Sequence, residues 1–194
     1  MKSEETKNKI IETTIALIEN QDGDVSKITI RKIAEKAGIG TGLINHYFGT
    51  KDNLIEVCVQ TIIQKVVYCF EPEETVPANG VKTDAERVKR TVRYVMNFLF
   101  ENPQISYISI LGDFKNPRAT DNSTGTVRGF AYRMSKGNVT ESYLEKAFSL
   151  VAMMQSCFVK KEILREICHI DLDDRATREA YTDQLVDRVM VGVQ

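Results

Sequence analysis

Thr29, Arg31, Thr41, Asn45, His46, Tyr47 and Lys51 are the side chains of this sequence whose types and spacing promise chemistry, and they fall in one short stretch. All can donate hydrogen bonds, and none is arranged as a nucleophile beside a base. From residue 25 to residue 51, Lys27, Arg31, Lys32, Lys36 and Lys51 stand against the single Glu35, a net charge of +4 that leaves −5 for the rest of the chain. A local basic patch on an acidic chain suits contact with phosphates. Its cations displace condensed counterions, while the acidic remainder discourages indiscriminate binding to polyanions.

Catalytic chemistry has little to build on. His46 and His169 are the only two histidines, and no nucleophile motif, metal cluster or phosphate-binding loop accompanies them. Asp171-Leu172-Asp173-Asp174 resembles calcium ligands, but it lacks the loop glycine and distal glutamate of an EF-hand, so it is expected to cap a helix. Cys58, Cys69, Cys157 and Cys168 form no C-x-x-C pair and sit in apolar contexts, as buried thiols do. Each pair is eleven residues apart along a predicted helix, which leaves a thiol- or metal-responsive sensor as an alternative reading. Neither an enzyme nor a resident cofactor is expected.

The elements that must position the basic stretch are helices. With 42% hydrophobic and 27% charged residues, the chain has ordinary globular usage. Its start is charged, and its longest aliphatic run is too short to span a bilayer, so a cytoplasmic protein is expected. Ile11, Ile15 and Ile18 recur at helical spacing in a first helix over about residues 4–20. A short second helix over 30–36 has Thr29 as its N-cap, and a third occupies 41–48. Thr50 caps a long fourth helix, with Leu54, Cys58, Ile62, Val66 and Cys69 among the residues tracing one side. Residues 71–83, with two prolines and a glycine, read as a loop. Further helices follow over about 84–101, 105–114, 124–136, 140–168 and 174–193. No period-two strand pattern or internal repeat stands out. The expected fold is all-α with about nine helices: a helix-turn-helix domain in residues 1–50, then a helical domain in 51–194.

The run Gly38-Ile39-Gly40-Thr41-Gly42-Leu43-Ile44-Asn45-His46-Tyr47-Phe48-Gly49 holds four of the chain's eleven glycines. Gly38 and Gly49 follow helix ends, where a left-handed backbone favours glycine. Gly40 and Gly42 fall at the start of the third helix, where glycine costs about 1 kcal/mol relative to alanine. A bare backbone there permits close approach of another surface, and the helix end offers free N–H groups to a phosphate. Two short helices joined by a tight turn form a helix-turn-helix whose second helix enters the DNA major groove.

The segment from Thr29 through Gly38 and the glycine-rich run to Leu54 resembles the N-terminal signature of TetR-family transcriptional regulators. The resemblance implies a regulator, most commonly a repressor, that binds a palindromic operator in double-stranded DNA as a homodimer and answers to a small-molecule effector. By the same match Thr41, Gly42, Leu43 and Asn45 face the groove. Thr41 can bond a base edge or phosphate, and Leu43 can pack on a thymine methyl. Asn45 stands where relatives often carry an aromatic residue. It either reads adenine bidentately or contacts only phosphate or water. His46, Tyr47 and Lys51 are expected to clamp the DNA backbone, with Gly40, Thr29 and Arg31 as further contacts. For Thr29 and Arg31, capping and plain solvation are the competing explanations.

One helix-turn-helix reads too few base pairs alone, so a two-fold partner is expected. Residues 147–159, AFSLVAMMQSCFV, are apolar around nearly the whole helix and must be covered on all sides. The helices over 140–168 and 174–193 are therefore expected to pair with their copies in a four-helix bundle. Tyr94, Phe98, Tyr107, Leu111, Phe130, Met134 and Met154 are candidates to line the effector pocket, with ordinary core packing as the competing explanation. The fourth helix, between reader and pocket, is the expected lever. No membrane partner is expected.

Overall fold

The computed structural model describes residues 2–20, 24–68 and 84–190. The expected loop over 71–83, Cys69 and the end of the last helix beyond Met190 lie outside the described residues, as do the side chains of 64–68. Ten α-helices and one 3-10 turn make up the described residues, with no strand among them: α1 Lys2–Glu19, the turn Val25–Lys27, α2 Ile30–Ala37, α3 Thr41–Phe48, α4 Lys51–Tyr68, α5 Asp84–Glu101, α6 Pro103–Lys115, α7 Asn122–Met134, α8 Glu141–Val159, α9 Lys161–Cys168 and α10 Arg175–Met190. The chain divides into two compact units, Met1–Val66 with Asn102–Pro117, and Val67–Glu101 with Arg118–Gln194.

In the first unit α1 packs on α2 and α2 on α3. Ile10, Ile18, Ile28, Ile33, Ile44 and Leu54 are sealed from solvent there, a small core of branched side chains that fixes the angle between the short helices. Thr14 is buried with them and donates to Ile10 O at 2.8 Å, so its hydroxyl is satisfied inside its own helix. α4 and α6 share this unit. Gln60 Nε2 donates to Asp113 Oδ1 at 2.7 Å, and a Cβ on Gly112 would stand 3.3 Å from Glu56 Oε1, so glycine permits the close approach.

The second unit has α5 packed on α10 and α7 on α8, around a core that includes Val92, Met96, Phe130, Leu150, Met154 and Leu185. Arg178 is buried here, and its hydrogen bonds go to neutral acceptors. Nε donates to Asn97 Oδ1 at 2.8 Å and Nη1 to Leu172 O at 2.8 Å, while the guanidinium lies 4.8 Å from the Phe100 ring centroid. One side chain thus joins α5, α10 and the segment between α9 and α10.

The helix expected over 140–168 is two helices. Lys160 leaves helical geometry at φ −109° and ψ 26°, its N–H bonded to Ser156 O while Leu164 N takes up Lys160 O. No proline or glycine marks the break. Ion pairs hold α9 turned toward the segment that follows it: Lys161 to Asp173 at 2.6 Å, and Arg165 to Asp171 at 2.7 Å and to Asp173 at 2.6 Å. Asp174 then accepts from Thr177 N at 2.8 Å, the N-terminal capping expected of the acidic run. α6 begins two residues early because Pro103 occupies its first turn. α7 begins early because Asp121 caps it, accepting from Thr124 N at 2.7 Å.

Candidate nucleic-acid interface

α2 is started by Thr29, whose Oγ1 accepts from Lys32 N at 3.2 Å, and stopped by Gly38 at φ +66°. α3 is stopped by Gly49 at φ +74°. Both glycines therefore have a conformational reason within the chain. Gly40 and Gly42 have none. Gly40 sits at φ −75° and ψ 143°, open to any residue, and a Cβ on either glycine would meet nothing within 4 Å. As the α3 cap, Gly40 also supplies no side-chain acceptor, and its carbonyl takes only the Leu43 N–H among the bonds at this end, at 3.1 Å, so the N–H groups of Thr41 and Gly42 are the ones this helix end can turn outward.

The two faces of α3 separate cleanly. Ile44 and Phe48 are buried, while Thr41, Gly42, Leu43, Asn45 and His46 are exposed and Tyr47 is half-buried. Leu43 is an exposed aliphatic side chain flanked by polar ones. Arg31, Lys32 and Lys36 are exposed on α2. Lys27 is paired with Asp24 at 2.9 Å. Bonds from Ser26 and then Lys27 hold the Asp24 carboxyl down at about 2, which leaves Arg31, Lys32, Lys36 and Lys51 to carry the positive charge of the patch.

Lys51 has a structural task that sequence reasoning missed. Its Nζ donates to Ile28 O at 3.2 Å, tying the start of α4 to the segment entering α2. An ammonium has three donors, so the remaining two can reach a phosphate. Thr50 caps α4 by accepting from Asn53 N at 3.1 Å, and Asn53 Nδ2 donates back to Phe48 O at 3.1 Å. Ser3 was also missed: Tyr47 Oη donates to its Oγ at 3.2 Å. No local signal links residues so far apart in sequence.

The seven effector-pocket candidates divide between the two units. Phe130, Met134 and Met154 are buried in the core of the second unit. Tyr107 and Leu111 lie on α6 in the first unit, Leu111 exposed. Tyr94 and Phe98 line an open cleft of about 440 Å³ between α5 and α10, with Arg90, Arg93, Arg175 and Glu179 around them. That lining is more polar than the aromatic wall expected. Of the cysteines, Cys58 is buried and its thiol is pushed up to about 12 by desolvation. Burial also raises Cys157. Both shifts disfavour the thiolate, the form that reacts and binds metals.

A short-helix pair near the start of the chain with a partly basic outer face, among described residues that form helices and no strand, places the chain in the helix-turn-helix class. Residues 10–58 match the family model described as bacterial regulatory proteins, tetR family. The chain is 29% identical over 98 residues to the HTH-type transcriptional regulator BetI of Burkholderia thailandensis, covering 50% of this chain and 46% of that protein. It is 37% identical over 86 residues to BetI 1 of Chromohalobacter salexigens, covering 44% and 40%. The matched region thus spans less than half the length of these relatives. Its fold is similar to that of a TetR transcriptional regulator from Rhodococcus sp. RHA1, with a TM-score of 0.62, 17% identity and all of both chains covered. It is also similar to a TetR-family regulator from Mesorhizobium loti, with a TM-score of 0.58, 16% identity, and 98% and 97% of the two chains covered. The N-terminal helices thus carry the signature of the TetR family, and the fold of the chain is similar to that of solved TetR-family regulators.

Proposed function

We propose that the chain is a sequence-specific DNA-binding transcriptional regulator, a repressor that leaves a palindromic operator when a small-molecule effector binds. The observation that carries this reading is the exposed face of α3, where Thr41 to His46 surround a backbone left bare at Gly40 and Gly42 with no internal crowding to explain it. In this division residues 1–50 read DNA, and residues 51–194 bind effector and a second copy of the chain. Neither catalysis nor a membrane enters into it, and a cytoplasmic site of action suits it. No described helix is long and apolar enough to cross a bilayer.

Dimerisation through α8, α9 and α10 is supported by Leu144, Phe148, Ile163 and Ile167, exposed apolar residues on α8 and α9. Effector action requires a ligand that binds one conformation better than the other, because equal affinity shifts no population. Selecting bound sequences from random duplexes tests the reading. A palindrome is expected, with half-sites about 34 Å apart or a multiple of that. Recovery of no enriched sequence at low salt would end it.

A further inference from the structure

Ser3, in the first turn of α1, lies outside the residues 10–58 that carry the family signature. It is nonetheless joined to α3. Tyr47 Oη donates to Ser3 Oγ at 3.2 Å, across 44 residues of sequence. The Tyr47 ring makes edge contacts with His46 at 5.2 Å and Phe48 at 6.4 Å, and Phe48 itself is buried. The half-buried ring thus places its hydroxyl at the edge of the exposed face of α3.

An exposed hydrogen bond between two hydroxyls adds little to stability, since water would serve either partner nearly as well. What it changes is direction. When Ser3 Oγ accepts the phenol proton, its own O–H must point elsewhere, and the phenol oxygen keeps acceptor capacity. With the phenol proton committed to Ser3, the Ser3 O–H is the donor left to meet a phosphate oxygen beside the exposed face of α3. We propose that Ser3 and Tyr47 form a single neutral phosphate clamp: Ser3 donates to the DNA backbone, Tyr47 positions it, and the first turn of α1 becomes part of the nucleic-acid face. This rests on the DNA-binding reading above.

The test uses the full chain and a duplex recovered by selection, with affinity measured by fluorescence anisotropy over a range of salt for the unchanged protein, Ser3→Ala, Tyr47→Phe, the double variant and Ser3→Thr. Each single loss of hydroxyl is expected to weaken binding roughly 3- to 10-fold. The double variant should lose no more than the worse single variant, because the two act as one unit. Ser3→Thr keeps the hydroxyl and should bind as the unchanged protein does. Since neither group is charged, the slope of affinity against salt should not move. Thermal midpoints of Ser3→Ala and the unchanged protein should coincide, which separates a lost contact from lost folding. Binding by Ser3→Ala equal to that of the unchanged protein, or losses that multiply in the double variant, overturns the clamp alone. Failure of the unchanged protein to bind any duplex overturns the regulator reading, and the clamp with it.

Discussion

The guanidinium of Arg93 on α5 meets the carboxylate of Asp183 on α10 with two parallel N–H donors, Nε to Oδ1 and Nη2 to Oδ2. The pair is the centre of a ladder. Lys89 bonds Asp187 at 2.7 Å on one side, Asn97 bonds Glu179 at 2.8 Å on the other, and Arg175 approaches Glu101 at 3.7 Å beyond that. Each step moves four residues forward along α5 and four back along α10, as the rows of two antiparallel helices require. Polar rungs thereby set the register of a helix pair whose apolar sides only bury it.

If register is held this way, Arg93→Met should lower stability by about 1 kcal/mol, and Asp183→Asn by a similar amount, because the pair is bidentate and only partly exposed. The double variant should lose less than the sum of the two singles. Chemical denaturation of the four proteins measures this. Fully additive losses would mean the fork contributes nothing as a pair.

Gly38 and Gly42 should respond to alanine with opposite signs in stability. Gly38→Ala forces a side chain into a left-handed backbone and should destabilise by about 1 kcal/mol. Gly42→Ala enters open space within α3 and should stabilise by up to about 1 kcal/mol. Yet the same change should weaken operator binding, because the added methyl stands where DNA approaches. A stabilised Gly42→Ala protein that binds DNA unimpaired would remove the case for a bare backbone.

Lys51 and Asn45 should fail differently in a DNA titration. Lys51→Met should weaken binding to every sequence and reduce the salt slope by about one unit. It should also cost roughly 1 kcal/mol of stability through the lost bond to Ile28 O. Asn45→Ala should leave the slope alone, and if it reads a base, discrimination at one position should relax by about 1 to 3 kcal/mol.

Phe148 projects from α8 with 66% of its surface exposed, an unusual setting for a phenylalanine unless something covers it. Phe148→Glu should shift the chain toward monomer, weakening self-association by about 2 to 4 kcal/mol as for a central interface residue. Sedimentation equilibrium reads this directly. Unchanged assembly would move the interface elsewhere.

The acid limb of stability should involve the segment after α9. Arg165 first, then a backbone bond, holds the Asp171 carboxyl below its ordinary 3.8, Lys161 does the same for Asp173, and Thr177 for Asp174. Folded values below unfolded ones mean that the contribution is full above about pH 4 and is lost as pH falls through the folded values. Asp173→Asn should flatten that part of a pH–stability curve, with its loss fully present at pH 7 and shrinking as pH falls through the folded value. A curve parallel to that of the unchanged protein below pH 4 would contradict this.

Much of the first unit was legible in the amino-acid order because its determinants are local. Thr29, Gly38 and Gly49 each set a backbone angle or cap within a few residues, and the alternation of Ile44 and Phe48 with Thr41, Asn45 and His46 declares which face of α3 turns inward. Helical period reveals that a face is buried, but not what it meets. Phe130, Met134 and Met154 therefore read as pocket or as core from sequence, and the structure shows them buried in the core of the second unit. The bend at Lys160, the antiparallel register of α5 and α10, the buried Arg178 and the bond from Tyr47 to Ser3 all depend on partners distant in sequence. Such contacts form only once loop closure has been offset by many of them forming together. Sequence alone determined most of the helices and which face of α3 stays exposed; tertiary structure decided the break at Lys160 and how the helices pair, because no single residue's neighbours along the chain carry that information.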